Sequence, residues 1–112
     1  MRKKTLLITG TTGFVGYKFL LFALSNNFLV IDILRKKNRK NKKIQKIKKA
    51  YPAKYKNIFF SNNKELSRKL KNIDADYFIN FATLYGNSHS HNQIDDFIDS
   101  NISFPTLIYD LI

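Results

Sequence analysis

The feature that most constrains this chain is a set of three glycines at three-residue spacing, Gly10, Gly13 and Gly16. A short apolar run, Thr5–Thr9, precedes them, and an apolar stretch that begins at Phe14 follows. Glycine permits tight turns and close backbone packing, so this order predicts a buried strand, a sharp turn and a helix. The free N–H groups of such a helix's first turn attract phosphate, and the segment therefore predicts a phosphate-binding turn. A tight turn that binds nothing is the alternative.

The rest of the chain alternates short apolar runs with helical patterns. Predicted strands cover residues 5–9, 28–34, 58–61 and 77–82, and predicted helices cover residues 14–24, a lysine-rich segment ended by Pro52, residues 64–72 and a segment from Ile94. Asn62 or Asn63 is the predicted cap of the third helix, and Pro105 is expected to interrupt the last one. Strands that alternate with helices predict an α/β fold with a parallel sheet. At 112 residues the chain fits one domain.

The positive charge of the chain is concentrated in one segment. Twelve of the twenty lysines and arginines lie between Arg35 and Lys56, where no acid occurs, and the net charge is +12. Such a block is typical either of a polyanion-binding surface or of a solvated lysine-rich helix, and we favour the second interpretation, without a nucleic-acid partner. The absence of cysteine excludes disulfides and thiolate metal sites. The apolar runs are too short to span a bilayer, so no membrane partner is expected. The N-terminal run leads into the glycines without the small-residue cleavage site of a signal peptide, so a cytoplasmic location is predicted.

The segment from Thr9 to Gly16 resembles the extended short-chain dehydrogenase/reductase family of NAD-dependent epimerases and dehydratases, which act on nucleotide sugars. The match rests on the Gly-x-x-Gly-x-x-Gly spacing with Thr12 before and Phe14 after the middle glycine. A Gly-Lys-Ser or Gly-Lys-Thr sequence, which a P-loop would require, does not follow. The resemblance implies a Rossmann-type parallel sheet with helices on both faces, truncated after about four strands. Residues 1–112 would then be the NAD(P)-binding N-terminal portion, with later strands and the substrate domain absent.

The end of the second strand selects the cofactor in that family. An acid there binds the ribose 2′-hydroxyl of NAD, whereas an arginine pairs with the 2′-phosphate of NADP. Counted without gaps from the glycines, Leu34 takes the position of the acid and Arg35 that of the arginine, while Asp32 lies two residues earlier. NADP is therefore the predicted cofactor, with NAD as the alternative through Asp32.

The fourth predicted strand also resembles the family, because an aspartate opens it and small residues close it. The run 82–86 is similar to the CDP-abequose and paratose synthases, which are 4-ketosugar reductases that use NADPH. Asn101 matches the helix asparagine that lies behind the cofactor phosphates. The cofactor-binding residues that the resemblance implies are Gly10, Thr12, Gly13, Phe14, Val15, Gly16, Asp32, Arg35, Phe81, Ala82, Thr83 and Asn101.

The catalytic residues of the family have no counterpart in this chain. The family uses a tyrosine with a lysine four residues later, and none of the tyrosines here is followed by that lysine. We therefore expect the chain alone to be inactive and sugar-nucleotide binding, with hydride transfer at C4, to belong to a full-length enzyme. His89 and His91 lack a third ligand in the sequence, so a metal site is not predicted.

Two other interpretations stay open. One is a basic, non-catalytic module for nucleic acid or an anionic surface, and the other is an inactive gene remnant. The fourth strand would also form a sheet edge, where exposed backbone groups favour self-association.

Overall fold

The computed structural model of the chain describes residues 3–81 together with Pro105, Ile108 and Tyr109. Its strands are β1 (Thr5–Thr9), β2 (Leu29–Arg35), β3 (Tyr55–Phe60) and β4 (Tyr77–Asn80), and its helices are α1 (Phe14–Ser25), α2 (Lys42–Ala50) and α3 (Asn63–Leu70). The strands form one parallel sheet in the order β3-β2-β1-β4. The predicted α/β fold with a parallel sheet is confirmed.

The strand β1 lies at the centre of the sheet because its side chains are apolar on both faces. Leu6, Leu7 and Ile8 are each at most 4% exposed. Successive side chains of a strand point to opposite faces, so β1 contributes to two cores. Leu6 and Ile8 pack with apolar residues of α1 and α2, whereas Leu7 packs with α3 and with Ile108. Helices therefore cover both faces, as predicted.

The helix α1 follows β1 after a short turn and ends at Ser25, one residue beyond the predicted end. Leu20, Ala23 and Leu24 are fully buried against the sheet. Just beyond the helix, Asn27 has a φ of 69°, a left-handed conformation that asparagine tolerates better than most residues. This reversal returns the chain to the sheet, where β2 begins only two residues later.

The helices α2 and α3 are short and depend on caps and on one apolar stripe each. The side chain of Asn41 accepts hydrogen bonds from two N–H groups in the first turn of α2. In α3 the side chain of Asn62 accepts a hydrogen bond of 2.9 Å from the N–H of Glu65, which identifies Asn62 as the cap. Leu66 and Leu70, predicted to face the sheet, are both 0% exposed.

The structure shifts the bounds of three predicted strands. β3 begins at Tyr55, three residues earlier than predicted, because the buried Tyr55 pairs with Val30 although exposed or half-exposed lysines flank it. β2 begins and ends one residue later than predicted, and β4 ends at Asn80, two residues before the predicted end. Of the last predicted helix, Pro105, Ile108 and Tyr109 are helical, and its remaining residues lie outside the described part of the chain.

An apolar cavity of about 500 Å³ lies beside β4. It is lined by Lys4, Leu6, Phe19, Phe22, Phe28, Tyr77, Phe78 and Ile79. Among the described strands β4 pairs with β1 alone, which places it at one end of the sheet. Within the described part of the chain, none of the helices combines the length and the hydropathy that a bilayer span requires.

Candidate functional site

The turn between β1 and α1 has the geometry that its glycines predicted. Gly10 adopts a φ of 77°, in the left-handed region that glycine enters without the strain a Cβ would cause. The N–H of Gly13 donates a hydrogen bond of 3.2 Å to the carbonyl of Gly10, and the Gly13 carbonyl accepts one of 2.9 Å from Tyr17. The turn therefore closes on itself and leads directly into the helix.

Gly16 is required by the close approach of α1 to this turn. A Cβ built on Gly16 would lie 2.0 Å from the carbonyl oxygen of Gly10 and 2.7 Å from its carbon. A Cβ built on Gly13 would lie 3.5 Å from the same oxygen, which is ordinary van der Waals contact. Gly16 therefore serves packing, whereas Gly13 can carry a side chain without disturbing the turn and lies on its exposed side.

The N-terminus of α1 is open on its outer side. Gly13 is the N-cap, so it supplies no side-chain hydrogen bond to the helix, and the first turn contains no acid. Thr12, Phe14 and Val15 are exposed, and Phe14 is 80% exposed. Helix N-termini present unpaired N–H groups and a positive dipole end, so this arrangement suits an anion such as a phosphate.

Asp32 lies under this turn with its carboxylate fully buried. The hydroxyl of Thr11, the second residue of the turn, lies 2.7 Å from one carboxylate oxygen and 2.9 Å from the other. Tyr55 donates its phenol O–H to the same carboxylate at 2.5 Å. Burial raises the pKa of Asp32 to about 6, and the two hydroxyl donors limit that rise. Burial and the neighbouring Asp32 charge raise the pKa of Tyr55.

Arg35 ends β2 on the opposite face of the strand from Asp32. Its guanidinium carbon lies 5.1 Å from the ring centre of Phe60, within the range of a cation–π contact. Leu34, where the ungapped count placed the cofactor-selecting acid, is a core residue that is 3% exposed. The structure therefore places the predicted arginine on the surface at the end of the strand.

An ion pair follows Arg35 and connects β2 to α3. The ammonium of Lys36 lies 2.9 Å from a carboxylate oxygen of Glu65. The other oxygen of Glu65 accepts the backbone N–H of Ser61 at 3.0 Å. The hydrogen bond from Lys36 lowers the pKa of Glu65. This contact holds the chain beyond β2 against the N-terminus of α3, close to the carboxyl ends of β2 and β3.

The carboxyl end of β4 lies beside the same turn. The N–H of Phe81 donates a hydrogen bond of 3.0 Å to the carbonyl of Thr9, and the ring of Phe81 packs against Phe19 of α1 with 5.4 Å between centroids. The hydroxyl of Thr9 donates to the side-chain oxygen of Asn80. Ala82, Thr83, Asn101, His89 and His91 all lie outside the described residues.

Sequence reasoning missed three side chains of this site. Thr11 and Tyr55 connect the glycine turn and the start of β3 to Asp32 within β2, and Asn80 separately connects the ends of β4 and β1 through Thr9. The signal for Tyr55 was present as a single large residue between Lys54 and Lys56, the alternation typical of a half-buried strand. The partners of Thr11 and Asn80 depend on strand register, which the sequence did not reveal.

Comparison with protein families adds an independent observation. The family model for the "NAD dependent epimerase/dehydratase family" matches residues 6–112, which is nearly the whole chain. A comparison with curated proteins found no match.

Solved structures share the fold over nearly the whole chain. A short-chain dehydrogenase from Streptomyces avermitilis matches with a TM-score of 0.80 and 15% identity, over 98% of this chain and 43% of that one. A Burkholderia multivorans protein, described as a short-chain dehydrogenase/reductase with bound NADP, matches with a TM-score of 0.77 and 17% identity, over 98% of this chain and 52% of that one. UDP-glucose 4-epimerase from Bifidobacterium longum, in complex with NAD+ and UDP, matches with a TM-score of 0.76 and 18% identity, over 96% of this chain and 33% of that one. The chain thus spans about half or less of these relatives, and at these identities the likeness shows the fold.

Proposed function

Because the chain belongs to the NAD dependent epimerase/dehydratase family, we propose that its glycine turn binds the pyrophosphate of an NAD(P) cofactor. The observation that carries the proposal is the N-terminus of α1, which has no side-chain cap. The close contact of Gly16 with Gly10 holds this end of the helix at the turn. That contact brings the helix to the end of β1, where no side chain caps its first N–H groups. Pyrophosphate binds at this place in dinucleotide-binding sheets.

The residues at the site fit such a cofactor. The exposed residues Thr12, Phe14 and Val15 offer backbone N–H groups without side-chain competition. Gly13, whose own N–H is bonded to Gly10, has no side chain to block the approach of phosphate oxygens. When bound, the cofactor would supply or accept a hydride, while these residues hold and orient it. Phe81, Ala82, Thr83 and Asn101 remain proposed contacts for the rest of the cofactor.

We propose that Arg35 recognises the group at the 2′ position of the cofactor and that NADP is preferred over NAD. It is exposed at the carboxyl end of β2, the edge of the sheet to which the glycine turn also belongs. A guanidinium forms paired, charge-assisted hydrogen bonds with a phosphate. The exposed Lys37 adds positive potential beside it, whereas the charge of Lys36 is paired with Glu65.

The activity of a whole enzyme is a further proposal. We propose that residues 1–112 act as the N-terminal, NAD(P)-binding portion of a nucleotide-sugar reductase, epimerase or dehydratase, in which hydride moves to or from C4 of the sugar. The family membership supports this class of reaction. The similarity of residues 82–86 to the CDP-abequose and paratose synthases favours a 4-ketosugar reductase within it.

A calorimetric titration with NADPH and with NADH, each at low and high salt, tests the cofactor proposal. Arg35→Ala is the informative variant, and Lys48→Ala is its control, because Lys48 is an exposed lysine of α2 that carries the same charge. We expect saturable NADPH binding, weakened about tenfold or more by Arg35→Ala and by less than about twofold by Lys48→Ala. NADH binding should change little in either variant.

Two results would contradict the proposal. If folded protein bound neither nucleotide, the glycine turn would have only a structural role. If both alanine variants weakened NADPH equally and salt abolished the binding, the nucleotide would be held by general positive charge, as the basic-module interpretation predicts.

A further inference from the structure

The carboxylate of Asp32 is enclosed on every side. Asp32 and Thr11 are 0% exposed, and Tyr55 is 2% exposed. A ribose hydroxyl could reach this carboxylate only if one of the two hydroxyl donors moved away. Asp32, the acid near the end of β2, therefore already accepts hydrogen bonds from Thr11 and Tyr55 within the protein.

The hydrogen bonds of Asp32 connect three separate elements. Thr11 belongs to the glycine turn, Asp32 lies within β2, and Tyr55 opens β3. Hydrogen bonds to an ionised acceptor are shorter and stronger than those between neutral groups. Thr11 directly follows Gly10, whose φ of 77° reverses the chain, so fixing the Thr11 side chain restricts the conformation of the turn at this point.

We propose that Asp32 is a positioning residue that holds the glycine turn through Thr11 and Tyr55 and does not itself bind the cofactor ribose. The inference rests on the proposed nucleotide-binding function and deepens it. Recognition of the 2′ position then falls to side chains at and beyond the end of β2. Arg35 is among them, and it leaves the strand on the face opposite to Asp32, so the carboxylate does not stand beside a bound 2′-phosphate.

The two roles of Asp32 predict different nucleotide preferences. A carboxylate in contact with the ribose accepts a hydrogen bond from the 2′-hydroxyl of NADH and repels the 2′-phosphate of NADPH. In that case the substitution Asp32→Asn would weaken NADH binding and strengthen NADPH binding. A positioning carboxylate affects the site of the pyrophosphate, which both nucleotides share. The same variant then lowers the affinities for NADPH and NADH by the same factor.

The test combines nucleotide titrations of three variants with one rescue. Asp32→Asn, Tyr55→Phe and Thr11→Val each alter one member of the network, and Thr11→Ser keeps the hydroxyl in a smaller side chain. We expect the three to weaken NADPH and NADH by about tenfold, with the ratio of the two affinities unchanged within about twofold. Thr11→Ser should retain wild-type affinity for both. Circular dichroism of each variant confirms that the titrated protein is folded.

Amide resonances of the glycine turn give a readout that a general loss of stability would not move. In ¹⁵N spectra without nucleotide, Thr11→Val and Tyr55→Phe should shift the signals of Gly10, Gly13 and Gly16 and leave those of α3 in place. Thr11→Ser should restore the wild-type glycine signals.

Four outcomes decide the matter. If Asp32→Asn changes the ratio of the affinities for NADPH and NADH by more than about tenfold, the proposal is overturned. Unchanged glycine amide signals in Thr11→Val would also overturn it. Equal weakening with shifted glycine signals supports it. If the wild-type chain binds neither nucleotide, the proposed function itself fails, and the glycine signals alone then show whether the network positions the turn.

Discussion

Replacing Gly16 by alanine should separate the packing role of the glycine turn from its binding role. The new Cβ would lie 2.0 Å from the carbonyl oxygen of Gly10, and ordinary contact begins at 3.4 Å, so the backbone must move by about 1.4 Å. The obstructing atoms belong to the main chain, which cannot rotate away as a side chain would. Overpacking of this kind costs about 1–3 kcal/mol, and we expect about 3 kcal/mol for Gly16→Ala. That value lowers the folding equilibrium constant by about two orders of magnitude.

Gly13→Ala is the matched control for this substitution. Its Cβ would lie 3.5 Å from the same oxygen, and its φ of −81° is open to any residue. We expect the free energy of unfolding of Gly13→Ala to lie within about 0.5 kcal/mol of the wild type. Its nucleotide affinity should nevertheless fall, because the added methyl group stands on the exposed side of the turn where phosphate would approach.

Urea unfolding followed by circular dichroism measures both variants under one set of conditions. A lower midpoint with an unchanged slope in Gly16→Ala reports a loss of stability. Equal midpoints for Gly16→Ala and Gly13→Ala would refute the packing argument, because the two differ chiefly in the distance to Gly10. Wild-type nucleotide affinity in Gly13→Ala would refute the binding argument alone.

Three further predictions concern the sheet and its helices. The pKa of Asp32 is about 6 in the folded protein and 3.8 ordinarily, so the folded state binds the proton first as the pH falls. Between about pH 7.5 and about pH 4, the free energy of unfolding should therefore rise by up to about 3 kcal/mol more in the wild type than in Asp32→Asn. Urea unfolding at the two pH values checks this, and parallel changes would contradict it. Leu66→Ala should cost about 2–5 kcal/mol by thermal or urea unfolding, since Leu66 is 0% exposed between α3 and the sheet, whereas a loss below about 1 kcal/mol would mean that α3 packs loosely. Asn62→Ala should cost about 1 kcal/mol by removing the cap of α3, and Asn62→Asp, which keeps an acceptor oxygen, should retain most of the stability.

The sequence predicted the fold well because the relevant signals are local. Thr5–Thr9 is an uninterrupted apolar run, and its predicted bounds are those of β1. Gly10 and Gly16 act through the chain immediately around them, so their spacing alone indicated the turn. The caps and apolar stripes of the short helices likewise lie within a few residues of one another.

The candidate site was predicted less completely because its side chains meet across strands. Asp32 and Arg35 were both candidates for the 2′ position, and only the pairing of Ile8 with Asp32 places the acid beneath the turn. Tyr55 was left outside the predicted β3, because one large residue between two lysines is a weak signal for a strand. Hydrogen bonds between residues more than about twenty positions apart depend on register, and a single sequence carries little information about it.

The central place of β1 also implies an order of assembly. Thr5 pairs with Leu29 about 24 residues away, whereas its N–H reaches Asp76 across 71 residues. Closing the longer loop costs about 1 kcal/mol more in chain entropy, so β1, α1 and β2 are favoured to associate before β4 arrives. On a ribosome, the glycine turn and Asp32 would emerge first and Tyr55 of β3 would follow, so the whole network would be present before β4 was synthesised.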